Sequence, residues 1–327
     1  MTEAAIRPTA APFRADGAFA LRMATLGATV GPAVEAEIRT LLAEAGTDPL
    51  DASVIPASDA AELVVRHDLA SVDELALLAL PIAGELARPS ISGYRVAAVG
   101  VEAETGALVL GGNLEFPGND LGTTIHAEGF VALRARRRGA HLGTLAVREA
   151  HPCAHCRQTL SEAAGADSLR IIDPLGHVLT LAALYPWAFT PAALGVDADS
   201  PARLPWPDLA FVGAEPPVTI AAELLDLGRR AHAPYSGSPS AAVLAVRPTG
   251  TFGAGCVESV AFNPSIGALQ AALVELAAVR IDPSTIAEGW LAKLDGGAVD
   301  PEPGFRALLR AVAPEASANV VRWRAHG

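Results

Sequence analysis

Three side chains on two short motifs have the types and the spacing that bind a divalent metal ion. Cys153 and Cys156 form a Cys-x-x-Cys pair, and His126 precedes them on a separate segment. A Cys-x-x-Cys at the start of a helix places two thiolates within one turn, where the helix N-terminus stabilises their negative charge. Two thiolates and an imidazole suit zinc, and three protein ligands leave a fourth position for water. The sequence therefore predicts a catalytic zinc site at His126, Cys153 and Cys156.

A carboxylate accompanies these predicted ligands. Glu128 lies two residues after His126, close enough to reach a bound water without being a ligand itself. Zinc lowers the pKa of such a water towards neutrality, so that it acts as hydroxide. A neighbouring carboxylate can then move protons between the water and the group under attack. We therefore predict that Glu128 is the catalytic proton shuttle.

The same residues also allow a less reactive interpretation. A Cys-x-x-Cys pair alone could be a redox pair or half of a structural zinc site, with Glu128 on a solvated helix face. No fourth Cys or His lies at the usual spacing for a closed site, which favours the catalytic interpretation. His155 lies inside the pair and is expected to be a bystander. Arg157 either donates to the thiolates as a supporting group or is a plain surface arginine.

The overall composition limits the class of protein. Of the 327 residues, 51% are apolar and 18% are charged, which allows a sizeable core. The formal net charge of −12 argues against a surface that binds nucleic acid. Three cysteines do not make a disulfide framework, and neither an export signal nor a membrane span is evident. We expect a cytoplasmic protein with no nucleic-acid partner and no membrane partner.

A run of arginines ends the helix that His126 begins. Its members are Arg134, Arg136, Arg137 and Arg138. Cations are favoured at a helix C-terminus, so a solvated face is the first expectation. A nucleic-acid groove is the alternative.

The elements that would position these residues alternate between strands and helices. Strands are predicted at 94–101, 107–110, 142–147 and 169–172, and helices at 125–138 and 153–164. This order predicts an α/β fold with a mixed, partly parallel sheet flanked by helices. Upstream, Ser71 and Glu74 have the spacing of a capping box, and Pro81 is expected to kink the helix that they begin.

The chain is predicted to contain two copies of this unit. Residues 1–71 are predicted to form an N-terminal tail, to about residue 30, followed by a helical region. The catalytic zinc domain is placed at 72–196, a proline-rich linker at 197–217 and a degenerate copy of the domain at 218–327. The same order of elements recurs after more than a hundred residues, and so long a repeat indicates duplication of a whole domain. At a constant spacing, Gln270 matches His126, Ala272 matches Glu128, and Val257 and Ser259 match Asn113 and Glu115. The second copy has no Cys-x-x-Cys pair, so we expect it to bind no zinc and to support the first.

At these motifs the chain resembles the cytidine deaminase family, and specifically its long, two-domain, homodimeric branch. The resemblance covers about residues 72–280. It is carried by Gly-Asn-Leu-Glu-Phe at 112–116, His-Ala-Glu at 126–128, Pro-Cys-Ala-His-Cys-Arg-Gln at 152–158, Ala-Phe at 188–189, Pro-Tyr-Ser at 234–236 and Ala-Phe-Asn-Pro at 261–264. The pairing of His-x-Glu with Pro-Cys-x-x-Cys is a zinc deaminase signature. It implies zinc ligation by His126, Cys153 and Cys156.

The resemblance also implies a nucleoside-binding site. Asn113 and Glu115 would hold a ribose hydroxyl, since an amide and a carboxylate two residues apart can act as donor and acceptor. Tyr94 stands where the family usually has a Phe that stacks on the pyrimidine. Phe189 resembles an aromatic residue that closes the site, from the same chain or across a dimer interface. Ordinary loop positions for Asn113 and Glu115 and a core position for Phe189 are the alternatives.

These inferences predict a zinc-dependent enzyme that deaminates cytidine or deoxycytidine to the uracil nucleoside and ammonia, in pyrimidine salvage. Zinc-bound hydroxide would attack C4 while Glu128 shuttles protons. The expected partners are a small-molecule nucleoside and a second copy of the chain. One alternative is a polynucleotide deaminase that acts on an extruded base, which the acidic composition disfavours. A second is a nucleoside-binding scaffold with a structural zinc, which the full ligand set together with Glu128 disfavours.

Overall fold

The structure, a computed structural model, describes residues 15–46, 48–148, 151–199 and 204–325. Its N-terminal region is helical, with α1 at Gly17–Thr29, α2 at Gly31–Glu44, α3 at Ala57–Arg66, α4 at Val72–Leu78 and α5 at Leu80–Gly84. The expectation of a loose tail up to about residue 30 is therefore wrong for the described part. Asp16 caps α1, because its Oδ1 accepts hydrogen bonds from the N–H groups of Ala18 (2.9 Å) and Phe19 (3.2 Å). Residues 1–14 lie outside the described ranges.

Pro81 and Glu74 set the geometry of α4 and α5. Pro81 lies in the first turn of α5, so the predicted kink is a break between two helices. The predicted capping box is wrong, because the side chain of Ser71 makes no capping bond. Glu74 instead accepts hydrogen bonds from the N–H of Ala70 (2.7 Å) and from the guanidinium of Arg22 (2.5 and 3.0 Å). The buried carboxylate thus fixes α1 against α4.

The first sheet lies in the first half of the chain. Its strands are β1 (Val54–Ile55), β2 (Ala97–Glu102), β3 (Leu108–Gly112), β4 (Leu142–Val147), β5 (Arg170–Ile172) and β6 (Val178–Thr180). Among the described residues their order is β1-β3-β2-β4-β5-β6, with β4 and β5 parallel and the other neighbours antiparallel. Helices α6 (Ala127–Arg137), α7 (Ala154–Leu160) and α8 (Leu181–Leu184) follow β3, β4 and β6. β2 is buried along its whole length, as expected of a strand that is covered on both faces.

The second sheet lies in the second half. Its strands are β7 (Leu209–Val212), β8 (Ser240–Val246), β9 (Gly250–Gly255), β10 (Ile286–Leu294) and β11 (Ser317–Ala325). In the described part of the chain their order is β7-β11-β10-β8-β9, with β10 and β11 parallel and the other neighbours antiparallel. Helices α9 (Val218–Arg229), α10 (Ala268–Ala278) and α11 (Glu302–Val312) precede β8, β10 and β11. No described helix combines the length and the apolarity needed to cross a bilayer.

The two sheets repeat one arrangement. The order β3-β2-β4-β5 recurs as β9-β8-β10-β11, with the same parallel and antiparallel pairings. α6 and α10 occupy equivalent places in the chain, as do α7 and α11. The predicted α/β fold, with a mixed and duplicated sheet, is confirmed. The segment 197–217, predicted as a linker, contains β7, which pairs with β11 and so belongs to the second sheet.

The structure pairs the residues of the two halves differently from the constant spacing that was predicted from the sequence. Each half has an antiparallel bridge just before its long helix, formed by Leu114 with Ile125 and by Val257 with Ile266. His126 and Gly267 are therefore equivalent residues, and each is the N-cap of its helix. The expectation that Gln270 replaces His126 is wrong, because the loop between the bridge residues is shorter in the second half.

The same alignment changes the other expected matches. Cys256 and Glu258 occupy the positions of Asn113 and Glu115, and Leu269 occupies that of Glu128. The expected matches to Val257, Ser259 and Ala272 are therefore wrong. Glycine and leucine at the positions of His126 and Glu128 leave the second half without the predicted ligand and proton shuttle, as expected of a degenerate copy.

Two glycines let α6 lie close to the first sheet. A Cβ at Gly100 would lie 2.5 Å from Cγ1 of Val131, and one at Gly111 would lie 2.8 Å from Phe130 and from Val131. Both α6 residues are fully buried. Any larger residue at these strand positions would lift the helix. This contact sets the distance between α6 and the first sheet, and so the position of the first turn of α6, which carries Glu128.

The arginine run joins α6 to the rest of the molecule. The side chain of Arg134 is fully buried and forms an ion pair with Glu275 of α10, whose side chain is also buried. Further ion pairs join Arg136 to Asp199 (2.9 Å) and Arg138 to Glu102 (2.6 Å). The expectation of a solvated face is wrong for these three arginines, because carboxylates from distant parts of the chain meet them. The same ion pairs make these three arginines less available to the nucleic-acid groove of the alternative interpretation.

Candidate active site

His126, Cys153 and Cys156 converge where α6 and α7 begin. Nδ1 of His126 lies 3.2 Å from Sγ of Cys156 and 3.5 Å from Sγ of Cys153, and the two sulfur atoms are 3.6 Å apart. Donor atoms that share one tetrahedral ion at bond lengths of about 2.0–2.3 Å lie about 3.3–3.8 Å from each other. The donor set and its spacing therefore fit a single zinc ion.

The two helices favour negative charge at this point. His126 is the N-cap of α6 and Cys153 is the N-cap of α7, and neither helix receives a capping bond from those side chains. The uncapped N–H groups of both first turns place partial positive charge at the helix ends that carry the ligands. Hydrogen bonding with Cys156 and His126 lowers the pKa of the Cys153 thiol to about 3. The bond to Cys153 and burial raise the pKa of Cys156, so a divalent cation is what would let both sulfurs hold a negative charge.

Glu128 lies in the first turn of α6 and is only 5% exposed. Burial raises the pKa of its carboxyl, and the nearby His126 opposes that shift only in part. A carboxyl with a raised pKa takes up and releases a proton more readily near neutral pH than an ordinary surface glutamate. The position and the environment of Glu128 both suit a proton shuttle.

Asn113 and Glu115 hold the loop that carries Tyr94. Oδ1 of Asn113 accepts a hydrogen bond from the N–H of Val96 (2.9 Å), and its Nδ2 donates to the carbonyl of Tyr94 (3.1 Å). Oε2 of Glu115 accepts from the N–H groups of Ile91 and Ser92, each at 2.8 Å, and its Oε1 accepts from the hydroxyl of Ser92 (2.6 Å). The ring of Tyr94 is half-exposed. The structure therefore brings Asn113, Glu115 and Tyr94 together.

Phe189 is tied to α7 through Gln158. Nε2 of Gln158 donates to the carbonyl of Phe189 (2.7 Å), and its Oε1 accepts from the hydroxyl of Tyr185 (2.6 Å). The ring of Phe189 is 43% exposed, so it is not a core residue. Sequence reasoning gave Gln158 no role, although it follows directly on the Cys-x-x-Cys motif and its arginine.

Arg157 supports α7 through backbone carbonyls. Its Nε donates to the carbonyl of Pro152 (2.7 Å), and its Nη1 donates to that of Leu184 (2.8 Å). These bonds fit neither of the two alternatives, donation to the thiolates or a plain surface arginine. Arg157 instead ties the residue before Cys153 to the end of α8. The ring of His155, the expected bystander, meets that of His126 edge-on with centroids 6.3 Å apart.

The second half contacts this site through Gln270. Its Nε2 donates to the carbonyl of Thr123, shortly before His126, at 2.9 Å. Its Oε1 accepts from the N–H of Gly267 at 2.8 Å. Gln270 is thus a contact between the halves. Sequence spacing alone pointed to Gln270 but assigned it the wrong equivalence.

Two segments of the chain match the same family description. Residues 72–169 and residues 181–302 each match a model of the Cytidine and deoxycytidylate deaminase zinc-binding region. The first segment contains His126, Glu128, Cys153 and Cys156. The second contains most of the second sheet.

Known proteins extend this likeness over most of the chain. A cytidine deaminase from Vibrio atlanticus is 31% identical over 268 residues, which are 82% of this chain and 88% of the relative. The chain belongs to the cytidine deaminase family. A cytidine deaminase from Pectobacterium atrosepticum is 32% identical over 275 residues, which are 84% of this chain and 86% of that relative. Among solved structures, the cytidine deaminase from Mycobacterium tuberculosis is 30% identical, covers 33% of this chain and 89% of that chain, and has a TM-score of 0.30.

Membership of the cytidine deaminase family confirms the predicted class of protein. The chain is a hydrolytic deaminase. Its cofactor is zinc, since both segments match models described as zinc-binding regions and, in the first segment, the donor atoms of His126, Cys153 and Cys156 form a group of metal-ligand type. The predicted two-domain organisation of the family branch agrees with the two matched segments.

Proposed function

We propose that this cytidine deaminase family member hydrolyses cytidine and deoxycytidine to uridine and deoxyuridine with release of ammonia, in pyrimidine salvage. One observation carries the proposal: the donor atoms of His126, Cys153 and Cys156 lie 3.2–3.6 Å apart, and the buried Glu128 follows two residues after His126. The relatives from Vibrio atlanticus and Pectobacterium atrosepticum, each named cytidine deaminase, support cytidine as the substrate.

In this proposal the chain's own residues hold the cofactor and move the protons. His126, Cys153 and Cys156 would bind zinc, which when bound supplies a water acidic enough to serve as the nucleophile at neutral pH. Glu128 takes a proton from this water and delivers it to the ring nitrogen next to C4 of cytosine. It then delivers the second proton to the amine that leaves C4. One water is consumed and one ammonia is released for each uracil nucleoside.

The polar residues at the end of β3 would bind the sugar. Nδ2 of Asn113 uses one hydrogen for the carbonyl of Tyr94 and makes only a long contact of 3.4 Å with Oε1 of Glu115, which also accepts from Ser92. A ribose hydroxyl between the two side chains would replace this long contact. Together they can donate to and accept from one ribose hydroxyl. The half-exposed ring of Tyr94 lies on the loop that they hold and would stack on the pyrimidine. Phe189 would close the site over the bound nucleoside. We further propose that the enzyme is cytoplasmic and acts as a homodimer, in which Phe189 closes the site of its own chain or of its partner.

The test is the Glu128→Gln variant, assayed with cytidine and with deoxycytidine. We expect normal folding and normal zinc content, but turnover of both nucleosides reduced by about 10²–10⁴-fold. Glu62→Gln is the matched control, because Glu62 is an exposed carboxylate of α3, and its turnover should equal that of the unaltered enzyme. Unchanged turnover in Glu128→Gln would overturn the proposed role. Deamination of a single-stranded oligonucleotide but of neither nucleoside would move the function to the polynucleotide alternative.

A further inference from the structure

A second group of metal-binding side chains lies next to the Cys-x-x-Cys segment. His151, Asp173 and His177 each offer one donor atom, and these atoms all lie within 4.8 Å of one another. Asp173 and His177 are buried, and the side chain of His151 is 28% exposed. The proposed deamination uses none of the three.

Asp173 is held in place by its own turn. It follows β5 directly, and its Oδ1 accepts hydrogen bonds from the N–H groups of Leu175 (2.9 Å) and His177 (3.1 Å). This leaves Oδ2 towards the two imidazoles, 2.7 Å from Nδ1 of His177 and 3.2 Å from Nε2 of His151. A carboxylate oxygen fixed between two ring nitrogens is a ready ligand for a cation, because no large rearrangement is needed to bind one.

Nε2 of His151 is the atom of this group that gains most from a bound cation. It is buried and close to Oδ2 of Asp173, yet within the described residues it makes no hydrogen bond. A buried ring nitrogen whose contact with a carboxylate is not a well-formed hydrogen bond is unfavourable, and a cation on its lone pair would satisfy it. Two ligands of a tetrahedral ion at bond lengths of 2.0–2.1 Å lie about 3.3 Å apart, close to the 3.2 Å between Nε2 of His151 and Oδ2 of Asp173. Nδ1 of His177, now 2.7 Å from Oδ2, would have to move outward by about half an ångström to bind the same ion.

We propose that His151, Asp173 and His177 bind a second divalent metal ion, for which zinc is the first choice. Two imidazoles and one carboxylate suit zinc and other first-row cations better than magnesium or calcium. The exposed edge of His151 leaves a side on which water can complete the coordination. Because His151 lies two residues before Cys153, the ion would fasten this segment to the turn between β5 and β6. Its role would be to position the Cys-x-x-Cys segment, apart from the chemistry.

Zinc content of the intact enzyme is the first test. The full chain is purified after growth with zinc, passed over a chelating resin to remove loosely bound ions, and analysed by mass spectrometry of the elements. We expect about two zinc ions per chain, one at each three-ligand site. One zinc ion per chain, with no second ion taken up on titration with micromolar zinc, would overturn the proposal without touching the proposed function.

Two variants assign the second ion. Asp173→Asn keeps an Oδ1 for the backbone N–H groups but removes the negative charge, so it should lose one zinc ion and keep the other. His177→Asn should do the same. His67→Asn is the matched control, because Nε2 of His67 lies 2.9 Å from Oε1 of Glu37 in an ordinary His–carboxylate pair, and it should keep both ions. Retention of both ions in Asp173→Asn and His177→Asn would contradict the site.

Cobalt distinguishes the two sites by their ligands. In the Cys153→Ser/Cys156→Ser double variant, bound cobalt should show d–d bands but no sulfur-to-cobalt charge-transfer band, because only imidazoles and a carboxylate remain. Adding Asp173→Asn should abolish the remaining bands. Persistence of those bands in the triple variant would overturn the proposal. Where a variant fails to fold, the zinc content of the unaltered chain decides the question.

Discussion

Glu115 and Glu258 make the same contacts in the two halves of the chain. Oε2 of Glu115 accepts from the N–H groups of Ile91 and Ser92 (2.8 Å each), and Oε2 of Glu258 accepts from those of Tyr235 (3.0 Å) and Ser236 (3.1 Å). In each half the serine hydroxyl also donates to Oε1. The second half has thus kept the carboxylate that anchors the loop, although it lacks the predicted zinc ligand and proton shuttle. The shared role of the two glutamates is to hold a loop, and sugar binding would be an added role of Glu115.

Substitution of these two glutamates should separate the two roles. Glu258→Gln should lower the free energy of unfolding by about 1–3 kcal/mol, because it weakens bonds to a charged acceptor, and should leave KM and kcat for cytidine unchanged. Glu115→Gln should cause a comparable loss of stability and also raise KM. Urea denaturation and steady-state kinetics measure both effects. An unchanged KM in stably folded Glu115→Gln would contradict the proposed sugar contact.

The ion pair of Arg134 and Glu275 should be important for the contact between the halves. Removing one partner leaves a buried charge without compensation, so Arg134→Met should cost about 3–5 kcal/mol of unfolding free energy. The double variant Arg134→Met/Glu275→Leu should recover much of this loss. Arg306→Met is the control, because Arg306 pairs with Glu302 at the surface, and it should cost at most about 1 kcal/mol. A loss in Arg134→Met no larger than that of the control would show that the pair is dispensable.

His232 should make the stability of the enzyme depend on pH. Its Nε2 lies 3.3 Å from Glu162 and its Nδ1 lies 3.2 Å from Asp199, and these carboxylates face it together with Arg136 and Tyr235. Burial alone would lower the pKa of His232, but the bonds to Asp199 and Glu162 outweigh it and raise the pKa. The stabilisation is therefore complete below the unfolded pKa of about 6.5 and is lost as the pH rises through the raised folded value.

The measurement is the free energy of unfolding from about pH 6 upwards, compared between the unaltered enzyme and His232→Gln. The unaltered enzyme should lose more stability with rising pH than the variant does. Parallel pH profiles would show that His232 does not titrate between its two carboxylates in the way that the geometry indicates.

The three candidate zinc ligands could be picked out from the sequence because the signals that mark them are local. A Cys-x-x-Cys pair at a helix start and a His-x-Glu at another need only the correct secondary structure to present their side chains. The alternation of strands and helices and the duplication could also be predicted, from the pattern of apolar residues and from the repeated order of elements. The structure adds the distances that bring the two helix starts within reach of one ion.

The errors arose where a residue depends on a distant partner or on loop length. Arg134 was expected on a solvated face because the sequence gives no sign that Glu275 lies opposite it. Gln270 was matched to His126 because a constant spacing ignores the shorter loop before α10. Arg157 was expected either to donate to the thiolates or to be a plain surface arginine, yet it bonds carbonyls that the fold brings near. Tertiary packing decides each of these cases.

The central claim is that the site at His126, Cys153, Cys156 and Glu128 deaminates free cytidine. The most direct measurement is the ultraviolet absorbance of cytidine incubated with the purified, zinc-loaded enzyme, with ammonia measured in the same samples. We predict loss of the cytosine absorbance band with release of one ammonia for each cytidine consumed. Unchanged absorbance and no ammonia with cytidine and with deoxycytidine, from protein shown to hold zinc, would contradict the claim.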